Sequence, residues 1–317
     1  MSSIWVPSQA SAALRLDANE SLALETELKA KERELYRKRF LEVTYQNAFP
    51  LTIDGPGYKS VSFQSLEEYG EAKWATDKGA TPLVDLSRKE YVTKVDIIKL
   101  AYKYTYHELQ YAAKENINLD MENANATKRI IDTKIDSTFY LGSTDVVKSG
   151  LLSDTSSLVE GTVTADGTGS SKKFEDKDGD KIIADINRLF KAVVASNKGL
   201  FRCDTLLIAP STMEIIKDRY IGSAGDGKTV YRSLMENRPG LEIIEVARFE
   251  SVAGLSGNTV MAIYPKTKEV LNAKVPVPFF CLPGVYTPDY AYQVTCFADV
   301  AGLEIKHPKS IGFIQGI

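Results

Sequence analysis

The apolar positions change period from segment to segment, and the longest regular stretch runs from Thr105 to Leu152. It opens on Thr105 with Glu108 three residues later, a reciprocal pair that satisfies backbone N–H groups at a helix start. A short helix is expected from Tyr106 to Glu115, with Leu109, Ala112 and Ala113 on one side. The chain breaks at Asn116-Ile117-Asn118 and restarts with Asn118 or Asp120 as cap. From Asp120 to Tyr140, Ala124, Ala126, Ile130, Ile131, Ile135 and Phe139 recur at helical spacing, with charges opposite them. Gly142 ends this helix, and about twenty residues at 1.5 Å each make a rod of roughly 30 Å. Periodicity alone describes an ordinary core helix.

Other segments follow other periods. Met1 to Arg15 is apolar, small and irregular; a helix is expected from Asp17 to about Tyr45, with Leu24, Leu28, Leu35 and Phe40 on its apolar side. Its glutamates come early and Arg37-Lys38-Arg39 late, matching the helix dipole, so Arg37 and Arg39 read as a solvated helix end rather than a nucleic-acid patch. From Tyr58 to Ser65 the period falls to two, the sign of a strand, and a return strand is expected from Tyr91 to Ile98. Glu67 to Arg88 between them is charged and holds Gly70, Gly79, Pro82 and, in its middle, Trp74. It is too long for a tight turn and too polar for a core, and loops of that length usually carry function.

Residues 153–173 are rich in Ser, Thr and Gly and read as a surface loop or insertion. A helix (Ile182 to Ser196), a strand (Thr205 to Ala209), a helix (Ser211 to Tyr220) and strands at Leu241 to Val246 and Thr259 to Tyr264 follow, the alternation of a compact α/β lobe. Val275 to Ile317 is strand-like throughout, with strands at Tyr290 to Phe297 and Gly302 to Lys306 and a turn around Asp299.

At 317 residues the chain exceeds what one core usually serves, so two lobes are expected. A net charge of −3 advertises neither a tight nucleic-acid binder nor a membrane binder. Three cysteines, widely separated and odd in number, argue against a disulfide framework and fit a reducing compartment. No apolar run approaches a membrane span and the N-terminus lacks a signal-peptide pattern, which points to synthesis in cytoplasm.

Three features invite a chemical reading. Gly222-Ser223-Ala224-Gly225-Asp226-Gly227-Lys228-Thr229 matches the phosphate-loop pattern in full, with Gly222, Gly225, Gly227 and Lys228 in the key places. That loop needs a buried strand immediately before it and a later strand ending in a Mg²⁺-binding Asp; the residues before it read as helix, so a mobile glycine loop is the better reading. Asp176-Lys177-Asp178-Gly179-Asp180 resembles the start of a calcium loop, but Lys181 and Asn187 stand where the turn Gly and the bidentate Glu belong, and an acidic helix lead-in fits better. Only two histidines exist, His107 and His307, and no triad or zinc spacing can be built from them. No catalytic residue, cofactor or metal is expected.

The order of these pieces carries a resemblance. The strand Val95-Asp96-Ile97-Ile98-Lys99-Leu100-Ala101 leads into Tyr104-Thr105-Tyr106-His107-Glu108-Leu109, then the long helix to Gly142 and Gly150-Leu151-Leu152. The chain closes with Ala301-Gly302-Leu303-Glu304-Ile305-Lys306-His307-Pro308-Lys309-Ser310-Ile311. From about Leu22 to Ile317 this resembles the major capsid proteins of tailed bacteriophages, with the Hong Kong 97-like fold. The resemblance implies an α+β protein with an N-terminal arm (1–49), an extended E-loop hairpin (50–100), a peripheral domain with a spine helix at about 120–140 (101–181 and 265–317) and an α/β axial domain (182–264).

It further implies hexamers and pentamers that close into an icosahedral shell around packaged DNA held without sequence specificity. Partners would be the chain itself, a portal, and scaffolding or decoration proteins, in a virion made in the host cytoplasm; no membrane is involved. The glycine loop at Gly222, Gly225, Gly227 and Lys228 would then sit at the capsomer centre. Only about twenty residues precede the first helix, which implies a separate scaffolding protein or none, and no crosslinking lysine or asparagine can be placed. Intersubunit contacts are expected at Arg37, Arg39, Glu68, Glu71, Lys73, Trp74, Asp77 and Lys78, with Trp74 either anchored on a neighbour or covering its own peripheral domain. An encapsulin-like compartment shell is the alternative of the same fold, and a nucleotide-hydrolysing enzyme using Gly222 to Thr229 the alternative of another class.

Overall fold

The computed structural model describes residues 40–317, apart from 73, 75–82, 116–118, 223–226 and 289. Arg37, Arg39, Lys73, Asp77, Lys78 and Gly225 lie outside the described residues, as does the expected first helix up to residue 39. That helix does not continue to Tyr45: residues 40–44 have no regular structure, and a separate turn, α1 (Tyr45–Ala48), follows. Two backbone N–H groups at its start, those of Thr44 and Tyr45, donate to one oxygen of the Asp136 carboxylate at 3.0 Å. A carboxylate on another element therefore supplies the cap, and no local sequence signal announces it.

After β1 (Leu51–Thr52) comes a two-stranded ribbon, β2 (Ser60–Tyr69) against β3 (Asp85–Lys94), paired antiparallel from Ser60↔Lys94 to Tyr69↔Asp85. The pairing runs several residues beyond the expected strands, so Glu67, Glu68 and Arg88 sit in the ladder and not in its loop. Period two is visible in β2, where Val61, Phe63, Ser65 and Glu67 are half-buried and their neighbours exposed. Phe63 stacks on Tyr91 at 4.9 Å, and Lys89 reaches both oxygens of Glu67 at 3.0 Å.

The expected return strand is split at Val95. Its second half belongs to β4 (Asp96–Thr105), which pairs antiparallel along its full length with β12 (Ala291–Val300). Helix α2 (Tyr106–Glu115) starts on the Thr105–Glu108 capping pair, and α3 (Leu119–Leu141) is the long helix. Its buried face is Thr127, Ile131, Ile135, Asp136, Phe139 and Tyr140; Ala126 and Ile130, expected inside, face outward. Those two lie about 100° round the helix from the neighbours that face the core. Gly142 takes φ +78 to end it, and Leu151 and Leu152 donate to the free carbonyls of Phe139 and Tyr140 at 2.8 and 2.9 Å. Gly150 makes this return possible, since a Cβ there would stand 2.2 Å from the Gly142 nitrogen.

Strand β5 (Val159–Glu160) and helix α4 (Gly179–Ser196) lead to β6 (Thr205–Ile208), α5 (Pro210–Asp218), α6 (Val230–Asn237), β7 (Glu242–Glu245) and β8 (Val260–Tyr264). The five-stranded sheet has the order β5-β14-β8-β6-β7, where β14 (Gly312–Gln315) pairs with both β8 and β5. Alternate residues of its strands enter two separate cores: Leu206, Ile208, Met261 and Ile263 pack with α4, α5 and α6, whereas Leu207, Ala262 and Tyr264 pack with α1 and α3. Residues 153–173 are no free insertion. Leu158 and Val163 are buried there, and Gly161 lies so close to Leu189 and Ile314 that a Cβ would collide with both.

The remaining strands are β9 (Leu271–Lys274), β10 (Val277–Cys281), β11 (Val285–Tyr286) and β13 (Gly302–Ile305), with β9 between β1 and β13 and β12 between β10, β11 and β4. Two of the cysteines correct the expectation of free thiols: Cys281 and Cys296 are register partners on β10 and β12 and form a disulfide. The third, Cys203, is free, and burial pushes its thiol pKa up to about 12.

Reducing the Cys281–Cys296 bridge is expected to lower unfolding stability by about 3 kcal/mol, the loop-closure figure for the 15-residue separation. Chemical denaturation of unassembled protein with and without reductant reads this directly, and an unchanged midpoint would refute it. Asp136→Ala should cost about 3–5 kcal/mol, because it strands the buried Arg248 guanidinium and two backbone donors; a loss under 1 kcal/mol in the same assay would contradict this.

Candidate functional site

Among the described residues, the ribbon carries a run of large apolar side chains left exposed. Strands of ten residues at about 3.3 Å each carry its far end roughly 30 Å from its root. Along it Leu66, Leu86, Tyr91 and Val92 are exposed, and beyond the ladder so are Leu83 and Val84. Trp74 is 103% exposed, so it covers nothing among the described residues of its own subunit. Glu68, opposite Leu86, and Glu71 are exposed close to it in sequence. An isolated ribbon of two strands is marginally stable in water, and tryptophan is among the residues enriched as interface anchors.

Its root is fastened by Lys148. The ammonium, 4% exposed, donates to the carbonyls of Lys94 and Ala301 and pairs with the Asp96 carboxylate at 2.9 Å. Lys94 and Asp96 are the last residue of β3 and the first of β4. One buried cation thus ties the turn after α3, the end of β12 and the base of the ribbon together. Sequence reading passed over it, because a lysine in a polar loop carries no mark of burial.

The glycine loop takes a form unlike a phosphate site. The element before it is helix α5, not a strand, and the bridge Tyr220↔Thr229 brings the two ends of the motif together. Lys228 is paired with Glu236 at 2.9 Å, and the Thr229 hydroxyl caps α6 by accepting from the Arg232 N–H at 3.3 Å. The Gly222 N–H donates to the Asp180 carboxylate at 3.2 Å, and Gly222 and Gly227 both hold positive φ. The lysine and hydroxyl that a nucleotide would need are already committed. Helix α6 went unrecognised because its cap, Thr229, was absorbed into the glycine motif.

The acidic run at Asp176–Asp180 is organised around a cation belonging to the chain. Lys177 is fully buried, donates to the Thr164 carbonyl at 2.6 Å, and pairs with Asp166 at 3.2 Å and with Asp185. Arg188 closes the other side of Asp185. This network pins residues 162–166 onto α4, while the carboxylates of the run itself point to other partners: Asp178 pairs with Lys181 at 3.6 Å and Asp180 accepts from the Gly222 N–H.

Among the described residues no group of acidic, histidine or cysteine side chains is placed to hold a metal ion, and no helix is long and apolar enough to cross a membrane.

Comparison with known proteins adds the family. No curated protein sequence matches the chain. Among solved structures, the capsid of Myoviridae phage XM1 superposes with a TM-score of 0.78 at 20% identity, covering 92% of this chain and 98% of that one. A chain from Mycobacterium phage Bobi gives 0.64 at 16% identity, covering 95% and 98%, and a virus-like particle from Pyrococcus furiosus gives 0.55 at 15%, covering 85% and 91%. At these identities the likeness establishes the Hong Kong 97-like fold. The family model described as major capsid protein matches residues 70–317, which is most of the chain. On that match, with an uncovered ribbon and side chains committed to structure, the chain belongs to the major capsid protein family of tailed bacteriophages, a structural component of a multi-subunit shell.

Proposed function

We propose that the subunits form hexamers and pentamers that close into an icosahedral head around a double-stranded DNA genome. The observation that carries this reading is the ribbon β2–β3, beyond whose ladder Trp74, Leu83 and Val84 are exposed with nothing among the described residues to cover them. In this reading 1–49 is the arm, 50–100 the E-loop, 101–181 with 265–317 the peripheral domain and 182–264 the axial domain, to whose sheet β5 and β14 are added. DNA is held without sequence specificity, consistent with a net charge of −3. Portal, scaffolding or decoration proteins complete the virion, which is made in the host cytoplasm. The protein carries no enzymatic activity of its own. The compartment-shell alternative has the weaker support, because the major capsid protein family model and the phage XM1 capsid are what the chain matches.

Purified protein should form closed particles visible by electron microscopy, with nucleic acid inside when taken from infected cells. Trp74→Ala should remove on the order of 2 kcal/mol per contact, abolishing particles while the unassembled subunit melts as before. Unchanged particle yield would refute Trp74 as an anchor on a neighbouring subunit. Lys228→Ala and the unaltered protein should both show no measurable ATP or GTP binding by calorimetry; a micromolar affinity lost in the variant would restore the nucleotide reading.

A further inference from the structure

Beside the root of the ribbon, between the last turns of α3, the turn after it and the start of β4, lies a small pocket of about 210 Å³. Its walls are Ile97, Ile98, Val146 and Val300, and charged groups such as Lys134 and Asp145 stand at its rim. The space is below the ~300–1,000 Å³ of small-molecule sites and is lined chiefly by carbon. Ile97 is 55% and Val146 45% exposed, so the subunit leaves these apolar walls open to solvent. Next to them Val147 is 90% exposed and holds φ +50, a conformation that β-branched residues avoid. Its side chain does nothing for its own subunit.

We infer that this pocket receives Trp74 from a second copy of the chain. The inference rests on the shell reading above and names the receiving surface. Trp74 cannot fill the pocket of its own subunit. The ribbon stays closed as far as Gly70 and Val84, whose atoms approach within 3.2 Å of an ideal glycine Cβ, and that point is roughly 33 Å from the root. Four further residues reach back at most about 14 Å, whereas the pocket opens beside Asp96, two residues past the root. Among the described residues Trp74 has no partner and the pocket no occupant, and since one molecule holds the two apart, they meet only between molecules. The contact joins unlike surfaces, head to tail, which is the class that closes into rings when the rotation permits.

The chain has two tryptophans, so Trp5→Phe leaves Trp74 as the sole reporter. In that background, assembly should shift Trp74 emission to the blue and protect it from acrylamide. A nitroxide label on Asp145→Cys, mixed with unlabelled subunits, should then quench the emission in particles and not in free subunits. A control label on Tyr286→Cys, at the separate exposed aromatic shelf of β11, should leave it bright. Cys203 resists labelling through its burial, and protein lacking the introduced cysteine checks this. In a further arm, Val146→Glu should abolish particles without changing the melting of the free subunit. A blue shift quenched from position 286 and not from 145, or normal assembly of Val146→Glu, overturns the pocket and leaves Trp74 as an anchor elsewhere. No shift on assembly sinks the pocket and the anchor reading together, and absence of particles under every condition sinks the shell reading itself.

Discussion

The Asp136 carboxylate is the constraint on which the rest of the subunit depends. It is 1% exposed, and burying a carboxylate is tolerable only when its lone pairs are met. One oxygen accepts from the Thr44 and Tyr45 backbones, and the other is held by Arg248, which also reaches the Thr133 carbonyl at 2.8 Å. Three segments remote in sequence therefore converge on one side chain of the long helix. With α1 set this way, Phe49 enters the core against Tyr140 and Tyr264, and the Tyr264 hydroxyl donates to the Ala48 carbonyl at 2.6 Å. The chain then runs directly into β1, which pairs parallel with β9. Where the ribbon begins is decided upstream by this one carboxylate.

Two buried lysines extend the same logic. Lys177 and Lys148 each sit where segments without regular structure must be held at a fixed distance, and each is met by carboxylate and carbonyl oxygens. A hydrophobic residue in either place would satisfy volume and leave those oxygens orphaned. Such groups contribute less to net stability than to fixing a single arrangement, because their desolvation offsets much of their attraction. That suits a subunit whose extended part must point in one direction before any neighbour arrives.

Legibility followed the range of the interactions. The bounds of α2 and α3, the capping pair at Thr105 and Glu108, Gly142 and the period-two strand β2 were readable because each is fixed by residues within a few positions of itself. The failures have a common cause in long-range contact. The Cys281–Cys296 pair depends on the register of β10 against β12, and the capping of α1 by Asp136 spans more than ninety positions. Ile130 looked like core because it is isoleucine, yet the helix turns it outward; Ala126 erred likewise. At the candidate site the exposure of Trp74 was foreshadowed by its charged neighbours. The open walls at Ile97 and Val146, closed behind by the buried Val300, were invisible, since they belong to three elements that only the fold brings together.

The position of Lys148 has a mechanical consequence. The same ammonium that fastens the ribbon also stands in the wall of the pocket beside it. A guest pressing on that wall bears on the bonds to Lys94 and Asp96, and these set the angle at which the ribbon leaves the body. Reception and presentation are then two ends of one lever. With the pocket filled, a subunit would then offer its own ribbon at a narrower range of angles, so that the entropy of aiming would fall on the first contact more than on those that follow.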